Sequence, residues 1–234
     1  QWGVIDSTFW LNYNFGSHYY SPGNYSFDSN GQLILTRVSL DDNDCHKHIF
    51  NPIVDYALEL HTGANLKSFY AIPSENSLSN VMFSLGSDVT GVISEGTAAT
   101  QIASGTWVGS LTNITAEKGY WIILDSDATL STFDAIPTDP ALIYDLHSDA
   151  NLISFPFVGL YLINDVLPDE VIWVTTGIIG EGLAASNVNG QFLGSLIQFE
   201  GGKGYWFKVS QPIEFQFVMP ESRATGPMKT PKIK

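Results

Sequence analysis

The chain has 234 residues, of which 44% are apolar, 13% aromatic and 15% charged. This composition excludes an intrinsically disordered chain, because such chains are poor in apolar and aromatic residues. The formal net charge of −14 disfavours binding to nucleic acid and to anionic membrane surfaces, since both are negatively charged. The apolar runs are much shorter than the roughly 18 residues that span a bilayer, so we do not expect an integral membrane protein.

The N-terminal segment, residues 1–50, is rich in aromatic side chains. Aromatic side chains with few charges around them are typical of interface centres, which makes six of them candidate partner-binding residues. They are Trp2, Phe9, Trp10, Tyr13, Tyr19 and Tyr20. Residues 24–28 and 32–38 flank Ser29-Asn30-Gly31, and Asn-Gly is a strong hairpin signal. We therefore predict a β-hairpin within this segment.

Residues 41–48, Asp-Asp-Asn-Asp-Cys-His-Lys-His, form the most metal-like stretch of the chain. Carboxylates suit calcium, and cysteine with histidine suits zinc. The spacing does not match an EF-hand, and no second Cys/His cluster completes a zinc site. We therefore predict a solvated polar loop, with adventitious or interfacial metal binding as the alternative, and assign neither a metal site nor a cofactor. The single cysteine of the chain, Cys45, excludes an intramolecular disulfide.

An internal repeat organises residues 51–220. The blocks 60–69 and 91–99 recur 86 residues later, at 146–155 and 177–185. One residue is then lost, and the sequences Gly-Ser-Leu at 109–111 and Lys-Gly-Tyr-Trp at 118–121 recur at an offset of 85. We divide the chain into an N-terminal segment 1–50, repeat one 51–137, repeat two 138–220 and a tail 221–234.

Each repeat is predicted to be mainly β with one short helix. Alternation over 56–60 and 143–146, and the matching blocks 66–69 and 152–155, predict strands at equivalent places. Apolar spacing before Gly86 predicts a helix over 77–86, and residues 162–167 before Pro168 predict its counterpart. Further strands are predicted at 90–93, 106–111, 119–124, 130–133 and 213–217.

The predicted fold class is therefore mainly β. It consists of two tandem, sandwich-like modules, each able to bury its own modest core, plus the N-terminal hairpin segment. The spacer Thr138-Asp139-Pro140 is short, which favours a fixed arrangement of the two modules.

The repeat blocks resemble those of a known repeat family. The order Ala-Asn-Leu-x-Ser-Phe, Gly-x-Ile-x-Glu-Gly-x-Ala-Ala, Gly-Ser-Leu and Lys-Gly-Tyr-Trp occurs in both copies. It resembles a repeat of secreted multidomain proteins of marine bacteria and of virion proteins of marine cyanophages. The resemblance covers roughly residues 55–218 and implies a non-enzymatic module of extracellular or virion-surface structures, with no catalytic residues to transfer. The copies differ at Gly63 and Asp149, and at Trp107 and Phe192, so their surfaces are not interchangeable.

Three pairs of polar residues recur at matching positions. They are Glu95 and Glu181, His61 and His147, and Asn65 and Asn151. Paired carboxylates can serve as acid and base in glycoside hydrolysis, but each glutamate belongs to its own repeat copy; calcium or partner contacts are the other alternative. A His-Asn pair could belong to a hydrolase site, but no Cys or Ser nucleophile lies in a recognisable context. A glutamate in a turn can accept backbone N–H bonds, and a buried asparagine often bonds the backbone at a turn. We therefore predict structural roles for these residues and assign no catalytic residue.

Residues 180–185 fit the dinucleotide-binding pattern G-x-G-x-x-A. Repeat one has Ser94 at the first glycine, and no βαβ pattern surrounds either copy, so we discard this motif.

The tryptophans of the repeats are candidates for sugar binding. In a strand, adjacent side chains point to opposite faces, so one residue of each Tyr-Trp pair is predicted to lie in the core and the other to be exposed. If the chain binds a glycan, Trp107, Trp121 and Trp206 are the residues expected to stack on sugar rings.

The tail after Glu221 has no acidic residue and four basic ones. They are Arg223, Lys229, Lys232 and Lys234. Its prolines and glycine exclude a helix. Two alternatives remain, a disordered terminus or an extended arm that docks on an acidic neighbour such as a sister subunit.

The resemblance to this repeat family implies a non-enzymatic structural protein of an extracellular assembly, and the lack of a recognisable catalytic constellation, the aromatic N-terminal segment and the basic tail agree with it. The expected type is a virion surface component, a fibre or head-decoration subunit, whose terminal segments bind other copies of itself or neighbouring virion or extracellular proteins. The alternative is a secreted cell-surface or glycan-binding module appended to another protein, with a surface glycan as its partner. We expect neither nucleic acid nor a membrane as a partner.

Overall fold

The computed structural model describes residues 24–27, 33–38, 45–50 and 53–219. The chain divides into two compact units, Gln1–Asn51 and Pro52–Lys234. Within the described residues the chain is mainly β with short helices, which confirms the predicted fold class. No helix of this described part is long and apolar enough to cross a membrane.

The described part of the first unit is a three-stranded antiparallel sheet. Strands β1 (Asn24–Phe27) and β2 (Leu33–Val38) form the predicted hairpin, and β3 (Cys45–Phe50) pairs with the other edge of β2. The predicted polar loop is therefore wrong for residues 45–48, which belong to β3. Strand pairing uses backbone groups that every residue carries, so a polar composition does not prevent it.

Repeat one has eight strands. They are β4 (Val54–Leu60), β5 (Gly63–Lys67), β6 (Ala71–Pro73), β7 (Val89–Ser94), β8 (Thr97–Ala103), β9 (Thr106–Gly109), β10 (Tyr120–Leu124) and β11 (Ala128–Pro137). The predicted helix is α1 (Leu78–Val81), which is followed by a 3₁₀ turn (Phe83–Leu85). Gly86 ends this turn with a φ of +54°, a conformation that favours glycine.

Repeat two has nine strands. They are β12 (Tyr144–Leu146), β13 (Asp149–Ile153), β14 (Leu160–Leu162), β15 (Thr175–Gly180), β16 (Leu183–Val188), β17 (Gln191–Gly194), β18 (Gln198–Glu200), β19 (Tyr205–Val209) and β20 (Ile213–Phe215). The predicted helix is α2 (Ile163–Val166), but a second helix, α3 (Asp169–Val174), follows it. Pro168 separates the two because proline ends one helix and is well suited to the start of the next.

Each repeat packs a five-stranded antiparallel sheet against smaller strand pairs or sheets. The strand order is β5-β10-β7-β8-β9 in repeat one and β13-β19-β15-β16-β17 in repeat two, so the two large sheets have the same topology. Tyr120 and Leu130 lie in the core of repeat one, and their counterparts Tyr205 and Phe215 lie in that of repeat two. As predicted, each repeat buries its own core.

Candidate functional site at the junction of the two repeats

Two equivalent backbone hydrogen bonds, one in each direction, join the two repeats. The Gly119 N–H donates to the Leu152 carbonyl at 3.1 Å, and the Gly204 N–H donates to the Leu66 carbonyl at 3.3 Å. In the first bond repeat one donates and in the second repeat two does. Such exchanged contacts define a twofold, isologous interface, here formed within one chain. The result agrees with the fixed arrangement expected from the short spacer.

Buried serines add a second set of exchanged bonds. The Ser68 hydroxyl donates to the Lys203 carbonyl at 2.7 Å, and the Ser154 hydroxyl donates to the Ala116 carbonyl at 2.5 Å. Both serines are fully buried, where an unpaired hydroxyl would be costly. The serine of the Ala-Asn-Leu-x-Ser-Phe block therefore serves to bond the backbone of the other repeat.

The glycines of the two Lys-Gly-Tyr-Trp blocks lie where the backbones of the two repeats approach each other closely. A Cβ atom at Gly204 would lie 2.7 Å from the Lys67 carbonyl oxygen and 3.3 Å from the Gly119 Cα. A Cβ atom at Gly119 would lie 2.9 Å from the Ile153 carbonyl oxygen. Both positions therefore exclude any side chain as long as the repeats keep this distance.

Glu181 reaches from the turn after β15 in repeat two to repeat one. Its Oε1 lies 2.6 Å from His61 Nε2, and its Oε2 accepts the backbone N–H of Leu66 at 2.8 Å. Leu66 is fully buried and its carbonyl already accepts the Gly204 N–H. Glu181 therefore satisfies a strand-edge N–H that repeat one leaves unpaired by itself.

Glu95 makes the same contacts in the opposite direction. Its carboxylate lies 2.5 Å from His147 Nε2 and accepts the backbone N–H of Leu152 at 2.8 Å. The predicted acceptance of a backbone N–H bond by both glutamates is confirmed, with one difference. Each accepts its N–H bond from the other repeat and not from its own turn.

His61 is held between two acceptors. Its Nδ1 lies 2.7 Å from the Thr62 carbonyl oxygen, while its Nε2 faces the Glu181 carboxylate. A carbonyl and a carboxylate can only accept, and only the doubly protonated ring can donate to both, so these contacts favour the imidazolium form. The Thr62 carbonyl and then Glu181 accordingly raise the pKa of His61 above its ordinary value.

His147 has the same surroundings. Its Nδ1 lies 2.6 Å from the Ser148 carbonyl oxygen and its Nε2 faces Glu95. These two acceptors, in that order, raise the pKa of His147. For Glu181, partial burial acts to raise the pKa, but the bonds from His61 and from the Leu66 N–H outweigh it, so this pKa lies below its ordinary value.

Two buried asparagines shape the turns that present the histidines. Asn65 Oδ1 accepts the His61 N–H at 2.8 Å, and Asn65 Nδ2 donates to the His61 carbonyl at 2.7 Å. Asn151 bonds His147 in the same way, at 2.9 and 2.8 Å. The predicted turn-capping role of both asparagines is confirmed.

The junction should be sensitive to pH through its histidines. Because the folded pKa of each histidine is raised, its contribution to stability is complete below the unfolded value of about 6.5 and is lost as pH rises through the folded value. We expect wild type to be more stable than His61→Gln/His147→Gln at about pH 5.5, with a smaller difference at about pH 8.5. Urea unfolding of both proteins at the two pH values measures this, and a pH-independent difference would argue against the imidazolium assignment.

The tryptophans that were predicted as binding sites are not part of the contacts described above. Tyr120 and Tyr205 are buried, which confirms that one residue of each pair lies in the core. Trp121 and Trp206 are half-buried, so the predicted exposure of the second residue is only partial. Trp107 is half-buried on the inner side of its sheet, where it lines a pocket of about 220 Å³ with Leu78 and Leu111, so the three tryptophans do not form one surface. The N-terminal aromatic candidates and the four basic tail candidates lie outside the described residues.

Several residues of the junction were not predicted from the sequence. Gly119, Gly204 and the two buried serines were part of the repeat blocks but were not recognised as contact residues. Their signal was their presence in both copies. Within the described part of the chain, no three His, Cys, Asp or Glu side chains converge as metal ligands.

Comparison with known proteins gives no relative. No protein-family model, no curated protein and no solved structure matches the chain.

Proposed function

We propose that this protein is a non-enzymatic structural component of an extracellular assembly, of the kind that forms virion surfaces as a fibre or head-decoration subunit. The observation that carries the proposal is the exchange of contacts between the repeats. These contacts join the two modules into one unit, and the residues that form them are the ones that occur in both repeats. A building block of this kind suits a protein whose task is to occupy a fixed place among neighbours.

The most enzyme-like residues support a structural role. In Glu95 and in Glu181, one carboxylate oxygen is hydrogen-bonded to a histidine and the other accepts a backbone N–H. A carboxylate held in this way is poorly placed to move a proton to or from a substrate. In this proposal the partners are other copies of the chain or neighbouring extracellular proteins, and the contacts are made by the aromatic N-terminal segment and the basic tail.

Solution mass tests the proposal. Size-exclusion chromatography with light scattering is run on the full chain and on a chain ending at Pro220, which lacks all four basic residues of the tail. We expect the full chain to be multimeric and the shortened chain to lose subunits, because the acidic body should attract the tail of a neighbour. A monomer in both cases at high protein concentration would contradict the proposed assembly.

A further inference from the structure

The twofold relation between the repeats is broken on one side of the junction. There a pocket of about 400 Å³ lies between residues 57–59, 67 and 70 of repeat one and residues 158–160 and 200–203 of repeat two. This volume is in the range of small-molecule sites. Both repeats contribute to its lining, so it exists only in the joined pair.

Three differences between the copies open this pocket. The positions of Leu58 and Lys67 are occupied in repeat two by Tyr144 and Ile153, and Gly202 stands where repeat one has Glu117. Tyr144 is 2% exposed and its hydroxyl lies 2.8 Å from Ser154 Oγ. On that side of the junction an aromatic ring therefore lies where the other side has the shorter Leu58.

The pocket contains two lysines placed face to face. Lys67 pairs directly with Lys203 across the antiparallel contact of the two repeats, and like charges in such a pair repel. The positive charge of Lys203 is compensated by an ion pair, in which its Nζ lies 2.7 Å from Glu200 Oε2. Within residues 53–219, Lys67 has no carboxylate at ion-pair distance. Burial is the main cause that lowers the pKa of Lys67. Glu181 acts to raise this pKa, Lys203 to lower it, and Glu200 and Glu59 to raise it, but burial outweighs the three carboxylates.

The remaining lining provides acceptors and an aromatic ring. Glu59 accepts the Thr129 hydroxyl through Oε2 at 2.9 Å, and its other oxygen makes no hydrogen bond to the described residues. The Tyr70 ring packs against Tyr56 with centroids 4.4 Å apart, while Leu58 adds an apolar surface. An ammonium without a direct ion-pair partner among the described residues, a carboxylate acceptor and an aromatic ring around one pocket are suited to a sugar ring that bears an acid group.

We propose that this pocket binds a short saccharide that carries a carboxylate. The carboxylate pairs with Lys67, the hydroxyls bond Glu59 and Lys203, and one face of the ring lies against Tyr70. All the residues that line this pocket lie within residues 57–203. The proposed binding therefore goes beyond the proposed assembly role, and either proposal can fail while the other holds.

Calorimetric titration of the full chain with glucuronate tests the site, with glucose and acetate as comparison ligands. We expect glucuronate to bind in the millimolar range and both comparison ligands to bind at least about tenfold more weakly. Absence of glucuronate binding overturns the proposal, and equal binding of acetate overturns the saccharide part by reducing the site to one for a bare carboxylate.

Variants locate the binding. Leu58→Tyr/Lys67→Ile gives this side the residues of the other side and should weaken glucuronate binding about tenfold or more. Lys67→Gln removes the charge with little change in shape and should have a similar effect if the double variant does not fold. Lys208→Ile, which removes an exposed lysine of β19, is the matched control and should bind like wild type. Unchanged affinity in Lys67→Gln would overturn the proposal.

Discussion

Replacing Gly204 by alanine should lower the free energy of unfolding by about 2–3 kcal/mol, the range of a strongly overpacked site. The new methyl group would lie 2.7 Å from the Lys67 carbonyl oxygen, and backbone cannot move aside as a flexible side chain can. Gly204 is not among the glycines with a positive φ, so the effect comes from lack of space. Urea unfolding measures it.

Gly91→Ala is the control for this prediction. Gly91 lies within β7, and a Cβ atom there would be 3.5 Å from the Ala99 carbonyl oxygen, an ordinary contact. We expect this variant to stay within about 0.5 kcal/mol of wild type. Equal stability of Gly204→Ala and Gly91→Ala would mean that the repeats do not approach each other as closely as described.

Removing the Glu181 carboxylate should be the second large effect. Glu181→Ala leaves the buried N–H of Leu66 without its acceptor, and an unsatisfied buried donor costs about 1–3 kcal/mol. Glu181→Gln keeps an oxygen that can accept this N–H but loses the attraction to His61. We therefore expect a smaller loss of stability for Gln than for Ala, measured by urea unfolding.

Glu214→Ala is the matched control, because Glu214 is exposed on β20 of the same repeat. It should have little effect on the free energy of unfolding. If Glu181→Ala unfolds at the same urea concentration as Glu214→Ala, then the bond to Leu66 does not contribute to the stability of the folded chain.

The internal repeat predicted much of the fold because equal blocks form equal elements. The matched blocks led to matched strands, and the alternation in the two Tyr-Trp pairs correctly predicted that one residue of each pair lies in the core, without saying which. The role of Asn65 was also predictable, since an asparagine near a turn has a short side chain that reaches nearby backbone groups.

The junction itself was harder to predict. A residue kept in both copies shows that it has a role, but not whether its partner lies in its own copy or in the other. Glu95 and Glu181 were therefore assigned to local turns, although they bond Leu152 and Leu66 across the junction. The role of Gly204 depends on a distance between strands that sequence periodicity does not contain.

The pocket at the junction was missed for the opposite reason. It depends on positions where the copies differ, such as Leu58 against Tyr144, and the comparison of repeats directs attention to positions where they agree. Helix α3 was missed because Pro168 was interpreted only as the end of a helix, although proline also suits the first turn of the next one.

Amide hydrogen exchange of Leu66 and Leu152, followed by NMR, tests most directly the claim that the repeats exchange contacts. Each of these N–H groups has its acceptor in the other repeat. The account predicts that both exchange as slowly as amides inside the sheets. Leu66 should become fast in Glu181→Ala alone and Leu152 in Glu95→Ala alone. Fast exchange of both in the wild-type chain, with the amides of β10 still protected, would contradict the account.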